Sequence, residues 1–520
     1  MKLTAMLHAG LARTPERIAL AEVGAQAPAA RTWTYEQLVA DVERTAGLLA
    51  ARGIGPGDVV AAMTFNEPEF VLTAYAVWQL GAVFVPVNHK MPAREVAYII
   101  GHSEAKLGVV SPDLADTARV GAGGIEWITT AHAGGGHNGA EDAETGLAAL
   151  IAAAPRARET HTDDQAPALI LYTSGTTSAP KGCVHSHARL STLMLLMSTN
   201  QGYDRDERML VAMPVWHSAP LNVCITPVLF MGGSVFLQRE FNPVETFQLI
   251  GQHRITAFFG PNIAFLAPVR ALPAAGLDFA DLDFSTMRHW MFGGSPIDAP
   301  TTRIILEHYQ PGEHRQLYGM SELGPAGSLL WPEEQIVKAG SVGKTAMYGG
   351  HMKLMRADGS EAGPGETGEI WIHTDTAMLE YLKNPEATAA AFEGPWYKTG
   401  DIARMDEDGY YYVVDRLKDI IIVGGENVYS LEVEEAVSEH PRVADVAVVA
   451  KSDPDWGQQV VAVVTTTDGQ ELSVEELRDF LADRIARYKI PRFVETMEDL
   501  PRNPSGKLLK HRLRDRVERG

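Results

Sequence analysis

Between residues 171 and 182 the chain reads Leu171-Tyr172-Thr173-Ser174-Gly175-Thr176-Thr177-Ser178-Ala179-Pro180-Lys181-Gly182. Hydroxyls and backbone N–H groups crowd a short segment that one lysine closes. A polyphosphate asks for many donors, little side-chain bulk and a mobile cation, and this segment offers all three. Its composition alone suits an ordinary Ser/Thr/Gly loop equally well. It is not a Walker A loop, whose Gly-Lys pair stands four residues after the first glycine. A second stretch, Gln316-Leu317-Tyr318-Gly319-Met320-Ser321-Glu322, sets an aromatic face for a base beside a hydroxyl and a carboxylate suited to phosphate and magnesium. Taken alone it reads as a helix start capped by Ser321. Asp401, in Tyr397-Lys398-Thr399-Gly400-Asp401, can accept from two neighbouring hydroxyls at once. Pro501-Arg502-Asn503-Pro504-Ser505-Gly506-Lys507 makes a turn that projects a single ammonium.

Three other patterns carry less. Gly363-Pro364-Gly365-Glu366-Thr367-Gly368 fits a dinucleotide fingerprint but precedes a strand pattern and opens no helix. Gly343-Lys344-Thr345 ends like a Walker A loop, yet position 338 is Lys. Cys183, His185 and His187 alternate as strand residues do, which outweighs a metal-site reading.

In their order along nearly the whole chain, these segments resemble the adenylate-forming superfamily of acyl-CoA synthetases, luciferases and peptide-synthetase adenylation domains. The similarity is greatest to the fatty-acid and aryl acid:CoA ligase branch. The resemblance implies that Thr173, Ser174, Gly175, Thr176, Thr177 and Lys181 bind the phosphates of ATP, with Ser178 where the family usually has glycine. Gly293, Gly294 and Ser295 resemble its adenine-binding turn. Tyr318 would stack on adenine within the nucleotide-binding segment that continues through Gly319 and Met320. Ser321 would touch phosphate, and Glu322 would hold Mg2+. Asp401 would accept the ribose hydroxyls, with Arg416 close to ribose or phosphate. Lys418 falls where the family hinges its two domains, and Gly424, Gly425, Glu426 and Asn427 resemble the loop facing the pantetheine of coenzyme A. Lys507 matches the lysine required for adenylation. Acid-pocket residues would come from 214–220 and 258–262, including Trp216, Phe259 and Gly260, with His217 as a gate to the coenzyme A tunnel.

The elements that must position these residues show in the hydrophobic pattern. Helical spacing over 35–52, capped by Thr34, alternates with a strand over 59–64, a helix over 67–80 and a strand over 82–87. A strand over 168–171 with Pro167 at its start leads into the hydroxyl-rich loop. Residues 131–166 read as a loop with one short helix over 146–154. Short strands and turns over 349–412 suggest a β-rich lobe, with a hairpin at Asp408-Gly409. The last hundred residues predict a helix over 431–439, strands over 443–450 and 460–465, and a helix over 474–488. The expected fold is α/β: a large N-terminal domain (1–416) of two doubly wound subdomains plus a small β-rich lobe, then a small α+β C-terminal domain (417–520). The resemblance implies that this last domain is mobile and carries the catalytic lysine.

Bulk properties narrow the function. Lys plus Arg number 45 against 66 Asp plus Glu, a net charge of -21, so nucleic-acid partners are not expected. Two cysteines in 520 residues exclude a disulfide framework, the N-terminus lacks a signal-peptide pattern, and no apolar run is long enough to span a membrane. A cytoplasmic enzyme using a small-molecule acid, ATP, Mg2+ and coenzyme A is the expectation, with a homodimer left open. Two alternatives stand beside it. One is an adenylating enzyme that passes its acid, or an oxyacid such as nitrite, to an amine or a carrier-protein thiol; the other is a non-catalytic nucleotide binder.

Overall fold

Thr34 and Gln37 close a reciprocal capping box: the Thr34 hydroxyl accepts from the Gln37 N–H at 3.2 Å, and Gln37 Oε1 accepts from the Thr34 N–H at 2.9 Å. The helix Tyr35–Ala51 therefore begins where the pattern places it, and it buries Leu38, Val42 and Leu49. The computed structural model describes residues 2–25, 31–130, 146–173, 180–294, 297–347, 349–502 and 508–519. The chain divides into two units, Met1–Thr173 with Pro180–His351 and Ile372–Tyr397, and Met352–Trp371 with Lys398–Gly520.

The first unit holds two large sheets. One runs in the order Glu380–Tyr381, Lys181–Ser186, Pro167–Thr173, Val83–Pro86, Val59–Met63, Ala105–Val110, Glu126–Thr129. From Pro167–Thr173 onward its neighbours are parallel. Every residue of Val59–Met63 and Val83–Pro86 is buried, as strands covered on both faces require. The other sheet runs Ser328–Leu330, Glu313–Tyr318, His289–Gly293, Ala257–Gly260, Arg208–Val211, Ser234–Gln238, Ile18–Val23, Thr32–Thr34. It packs on an aromatic cluster in which Phe265 and Tyr309 meet edge to face at 5.1 Å and the Tyr309 hydroxyl donates to the Phe265 carbonyl at 2.6 Å. This is the doubly wound α/β architecture that the alternating pattern predicts. The short strands His351–Met355, Thr367–His373, Trp396–Met405 and Tyr411–Arg416 form the β-rich lobe. Asp406 Oδ1 accepts from the Asp408 and Tyr410 N–H groups at the expected hairpin.

In the second unit, Val443–Asp453 and Gly457–Thr466 form a long antiparallel pair whose faces serve two cores. Val446 and Val448 pack with the helices Ser430–Ser438 and Val474–Leu481, whereas Ala447 and Val449 pack under the helix Lys510–Arg519. That division follows the two-residue period of a strand.

Three expectations need correcting and one is refined. The helix read over 474–488 is only Val474–Leu481, followed by a short turn at Arg487–Lys489. Leu477 and Leu481 complete its apolar stripe. Pro491 then holds Ile490 extended (φ -65°, ψ 129°), returning it to the same core ahead of the strand Phe493–Thr496. The Gly424-Gly425 segment, expected as a loop, is the two-residue turn of a tight hairpin, Ile421–Val423 with Glu426–Val428. Both glycines have positive φ, 61° and 91°, as such a turn demands. Cys183 and His185 lie on the strand Lys181–Ser186, but His187 opens the helix His187–Gln201, capped by Ser186. Ser321 caps no helix: it begins a single 3-10 turn, Ser321–Leu323. The short helix read over 146–154 is Leu147–Ala153, while 131–145 lie outside the described residues. Among the described residues no helix is long and apolar enough to cross a membrane.

Candidate active site

The strand Glu313–Tyr318 delivers Tyr318 to its carboxyl end, and the parallel strand His289–Gly293 ends beside it with Gly293 opposite Leu317. A Cβ on Gly319 would lie 1.6 Å from the Pro325 carbonyl oxygen, so only glycine lets the chain fold back there. The Ser321 and Leu323 carbonyls of the turn that follows accept locally from the Gly324 and Ala326 N–H groups, and other segments add further donors. His185 Nε2–H donates to the Ser321 oxygen at 2.8 Å, and the Met378 N–H donates to the Glu322 oxygen at 2.7 Å. The Thr376 hydroxyl donates to the Leu323 oxygen at 2.9 Å, and Asn222 Nδ2 to the Gly324 oxygen at 2.8 Å. Burial pulls the His185 pKa down to about 4, which keeps this donor neutral.

So held, Glu322 turns its carboxylate to Tyr381, whose hydroxyl donates to Oε1 at 2.9 Å. Lys181 Nζ lies 4.8 Å from the centre of the same Tyr381 ring. One tyrosine thus links the lysine closing the hydroxyl-rich loop to the proposed metal carboxylate. That loop joins adjacent antiparallel strands, with Thr173 paired to Lys181 across its base, instead of leading from strand to helix as a Walker A loop does. Burial and then the Glu322 charge push up the Tyr381 and Tyr397 phenols and the Cys183 thiol, so Glu322 faces neutral groups. Among the described residues it makes no ion pair.

Asn66 shapes the acid side. Its Nδ2 donates to the carbonyls of Met213 and Gln238 at 3.1 and 2.8 Å, and its Oδ1 accepts from the Val215 N–H at 2.9 Å. This fixes the corner from which Trp216 and His217 extend, their rings 3.7 Å apart. Burial lowers the His217 pKa to about 3, with Lys90 and His89 adding to the shift, so the ring is neutral at physiological pH. Phe259 and Gly260 end the strand Ala257–Gly260 and are buried. Trp216 also meets the His89 ring edge-on at 6.3 Å, while among the described residues Phe259 makes no ring contact with Trp216.

In the second unit Asp401 and Arg416 are cross-strand partners joined by an ion pair of 2.8 Å, with the carboxylate buried. Lys418 sits in the turn after Tyr411–Arg416, where Arg514 Nη1 donates to its carbonyl at 3.0 Å. Gly424 packs its bare Cα against Trp456: a Cβ there would meet the indole at 2.8 Å. Asn427 lies on the exposed face of Glu426–Val428, paired with Ile422. Ser174, Gly175, Thr176, Thr177, Ser295 and Lys507 lie outside the described residues. Gly294, at φ 82°, and Met320, extended at φ -149°, flank the first-unit site. Sequence reasoning missed Tyr381, Asn66 and the His185 anchor. Tyr381 stands in a two-residue strand 59 positions from Glu322, with no local motif to mark it.

Residues 7–382 match the family model described as AMP-binding enzyme, and residues 432–507 match that of the AMP-binding enzyme C-terminal domain. A feruloyl-CoA synthase from Amycolatopsis sp is 35% identical over 484 residues, 93% of this chain and 94% of that protein. The long-chain-fatty-acid–CoA ligase FadD13 of Mycobacterium tuberculosis is 35% identical over 489 residues, 93% of this chain and 92% of that one. Among solved structures, the o-succinylbenzoate CoA synthetase MenE of Bacillus subtilis, in complex with the acyl-adenylate intermediate OSB-AMP, superposes with a TM-score of 0.85. It is 28% identical, with 98% of each chain covered.

Proposed function

The chain belongs to the AMP-binding enzyme family of adenylate-forming acid:CoA ligases, and from that premise we propose that it condenses a carboxylic acid with ATP to an acyl-adenylate and then transfers the acyl group to coenzyme A. The observation that carries this reading is the Lys181–Tyr381–Glu322 chain, which couples a phosphate-loop cation to a carboxylate that makes no ion pair among the described residues, at the end of the nucleotide strand. A carboxylate is a poor electrophile because its charge is delocalised and oxide is a poor leaving group. Its oxygen attacks the α-phosphorus of ATP, the bond to pyrophosphate breaks, and the acid gains AMP as leaving group.

In this reading Thr173, Ser174, Gly175, Thr176, Thr177 and Lys181 hold the β- and γ-phosphates. Gly293, Gly294 and Ser295 receive the adenine, which stacks on Tyr318 beside Gly319 and Met320. Asp401 accepts from the ribose, with Arg416 beside it, Ser321 contacts the α-phosphate, and Lys507 stabilises charge on it. Glu322 fits a magnesium ligand: it is half-buried, faces neutral donors, and magnesium is commonly held by one carboxylate plus substrate phosphates. Magnesium held there would supply neutralising charge to the polyphosphate. Residues 1–416 and 417–520 act as an adenylation domain and a mobile domain hinged at Lys418. After rotation the Gly424-Gly425 hairpin and Asn427 face pantetheine, whose thiol attacks the acyl carbon and releases AMP. Trp216, Phe259 and Gly260 line the acid pocket, and His217, neutral, stands between acid and thiol. A cytoplasmic setting accords with two free, buried cysteines.

The test is pyrophosphate release over a panel of fatty, aryl and other oxyacids, with and without coenzyme A. Acid-dependent release with thioester formation supports the ligase. Release without dependence on coenzyme A would move the acceptor to an amine or a carrier-protein thiol.

A further inference from the structure

Four polar atoms beside the proposed acid site are buried without a hydrogen-bond partner among the described residues: Thr64 Oγ1, both ring nitrogens of His89, and Trp216 Nε1. Orphaned buried polar groups are costly and rare, and these four are not scattered. Thr64 follows the strand Val59–Met63, His89 follows Val83–Pro86, and Trp216 follows Arg208–Val211. The first two strands pair in parallel in one sheet and the third lies in a parallel ladder of the other, and ligands of open α/β sheets bind outside the carboxyl ends of such strands. The His89 ring is tilted against Phe65 at 4.7 Å and meets Trp216 edge-on at 6.3 Å, and Trp216 in turn lies on His217. His89 is 8% exposed, Thr64 1%.

We propose that Thr64, His89 and Trp216 form a specificity subsite for an oxygen function on the acid, a hydroxyl or carbonyl distinct from the carboxylate that is activated. This rests on the reading of the chain as an acid:CoA ligase. The indole N–H can only donate, and a neutral imidazole and a hydroxyl each supply one donor as well. Burial lowers the His89 pKa to about 4, the Thr64 backbone opposing part of the shift, and the positive charges of Lys90 and Arg239 lower it further. The subsite therefore offers three donors beside the acceptor nitrogen of the imidazole and the threonine oxygen, uncharged and set in a positive field, which suits a neutral hydroxyl or carbonyl oxygen. An alkyl chain laid against it would leave all four atoms buried and unpaired. Between a fatty acid and an oxygenated acid, the arrangement favours the oxygenated one.

The experiment measures coenzyme A-dependent pyrophosphate release with matched acids: benzoate and para-hydroxybenzoate, phenylpropanoate and its para-hydroxy derivative, octanoate and its omega-hydroxy derivative. At least one oxygenated member is expected to exceed its parent in kcat/KM by about tenfold or more, as hydrogen-bonding sites discriminate far better than apolar ones. His89→Phe and Thr64→Val should bring that ratio towards one, while His89→Gln, which can still donate and accept, should keep most of it. The Tm of His89→Phe should fall by little, because beyond an interaction with the Thr64 backbone its ring nitrogens make no close hydrogen bond within the described protein. Wild-type enzyme that uses acids but shows no preference in any pair overturns the subsite and leaves the ligase reading standing. A preference that survives both substitutions overturns the assignment to these residues. Absence of pyrophosphate release with every acid overturns both readings.

Discussion

Replacing Lys510 by Met tests how the last helix is held. Lys510 Nζ is 2.7 Å from Glu434 Oε1 and donates to the Ser430 hydroxyl at 2.7 Å, and that hydroxyl donates to Asp415 Oδ1 at 3.0 Å. One ammonium thus serves two buried carboxyls. Burial pushes both upward in pKa, with Lys510 acting against the shift. Met keeps the length and removes the charge, stranding Glu434 beside Asp415. Breaking a buried pair from one side costs about 3–5 kcal/mol. The side chains of Lys510 and Glu434 are each 12% exposed, and that residual access to water favours the lower figure, about 3 kcal/mol. The sign with pH follows from the direction of the shift. A carboxyl raised in the folded state favours folding when protonated, and losing Lys510 raises it further. The deficit is therefore full above the folded pKa and shrinks as pH falls towards the unfolded carboxyl value. Urea unfolding followed by far-UV circular dichroism, at about pH 7.5 and about pH 5, reads both quantities. Lys510→Met with Glu434→Leu should recover most of the loss, since an apolar replacement of a buried pair is often neutral or better. A single variant within about 1 kcal/mol of wild type, or an equal deficit at both pH values, would refute the reasoning.

Lys507→Ala should cut acid-dependent pyrophosphate release by at least about a hundredfold while thiolysis of a preformed acyl-adenylate continues; equal loss of both halves in stopped-flow assays would give the lysine a different role. Glu322→Gln should lower kcat for adenylation by orders of magnitude, whereas Asp401→Ala should mainly raise the KM for ATP, a split that steady-state kinetics resolves. Gly319→Ala should destabilise the first unit by about 2–3 kcal/mol, because the new Cβ strikes backbone and not a movable side chain. An unchanged Tm would show that the chain can relax there.

How far the sequence carried depends on the range of the interaction. The cap at Thr34 was legible because Thr and Gln three apart are a local device, and the buried strands were legible as unbroken apolar runs. Tyr318 and Glu322 stood in one motif whose residue types state their chemistry. Tyr381 and His185 were hidden because each meets its partner through strand pairing across distant sequence. The shortened helix after Val474 was misread because its apolar period continues to Ile485, while Pro491 and the need to bury Ile490 act from beyond it. Gly424-Gly425 between Ile421-Ile422-Val423 and Glu426-Asn427-Val428 is itself a hairpin signal, a local geometry that the resemblance to a coenzyme A loop does not state.

The turn at Ser321–Leu323 has a dynamic consequence. Its anchors come from a strand, a π-helical turn at Pro220–Ile225 and the 376–378 segment, so it has no local opening of its own. To free Glu322, several segments of the first unit must separate together. The carboxylate and the core then belong to one cooperative unit, and the site cannot melt ahead of the fold around it. The Met378 amide, which donates to the Glu322 carbonyl, would exchange its proton for deuterium at the pace of that whole unit. Chemistry and folding in this half of the molecule would share a single opening free energy.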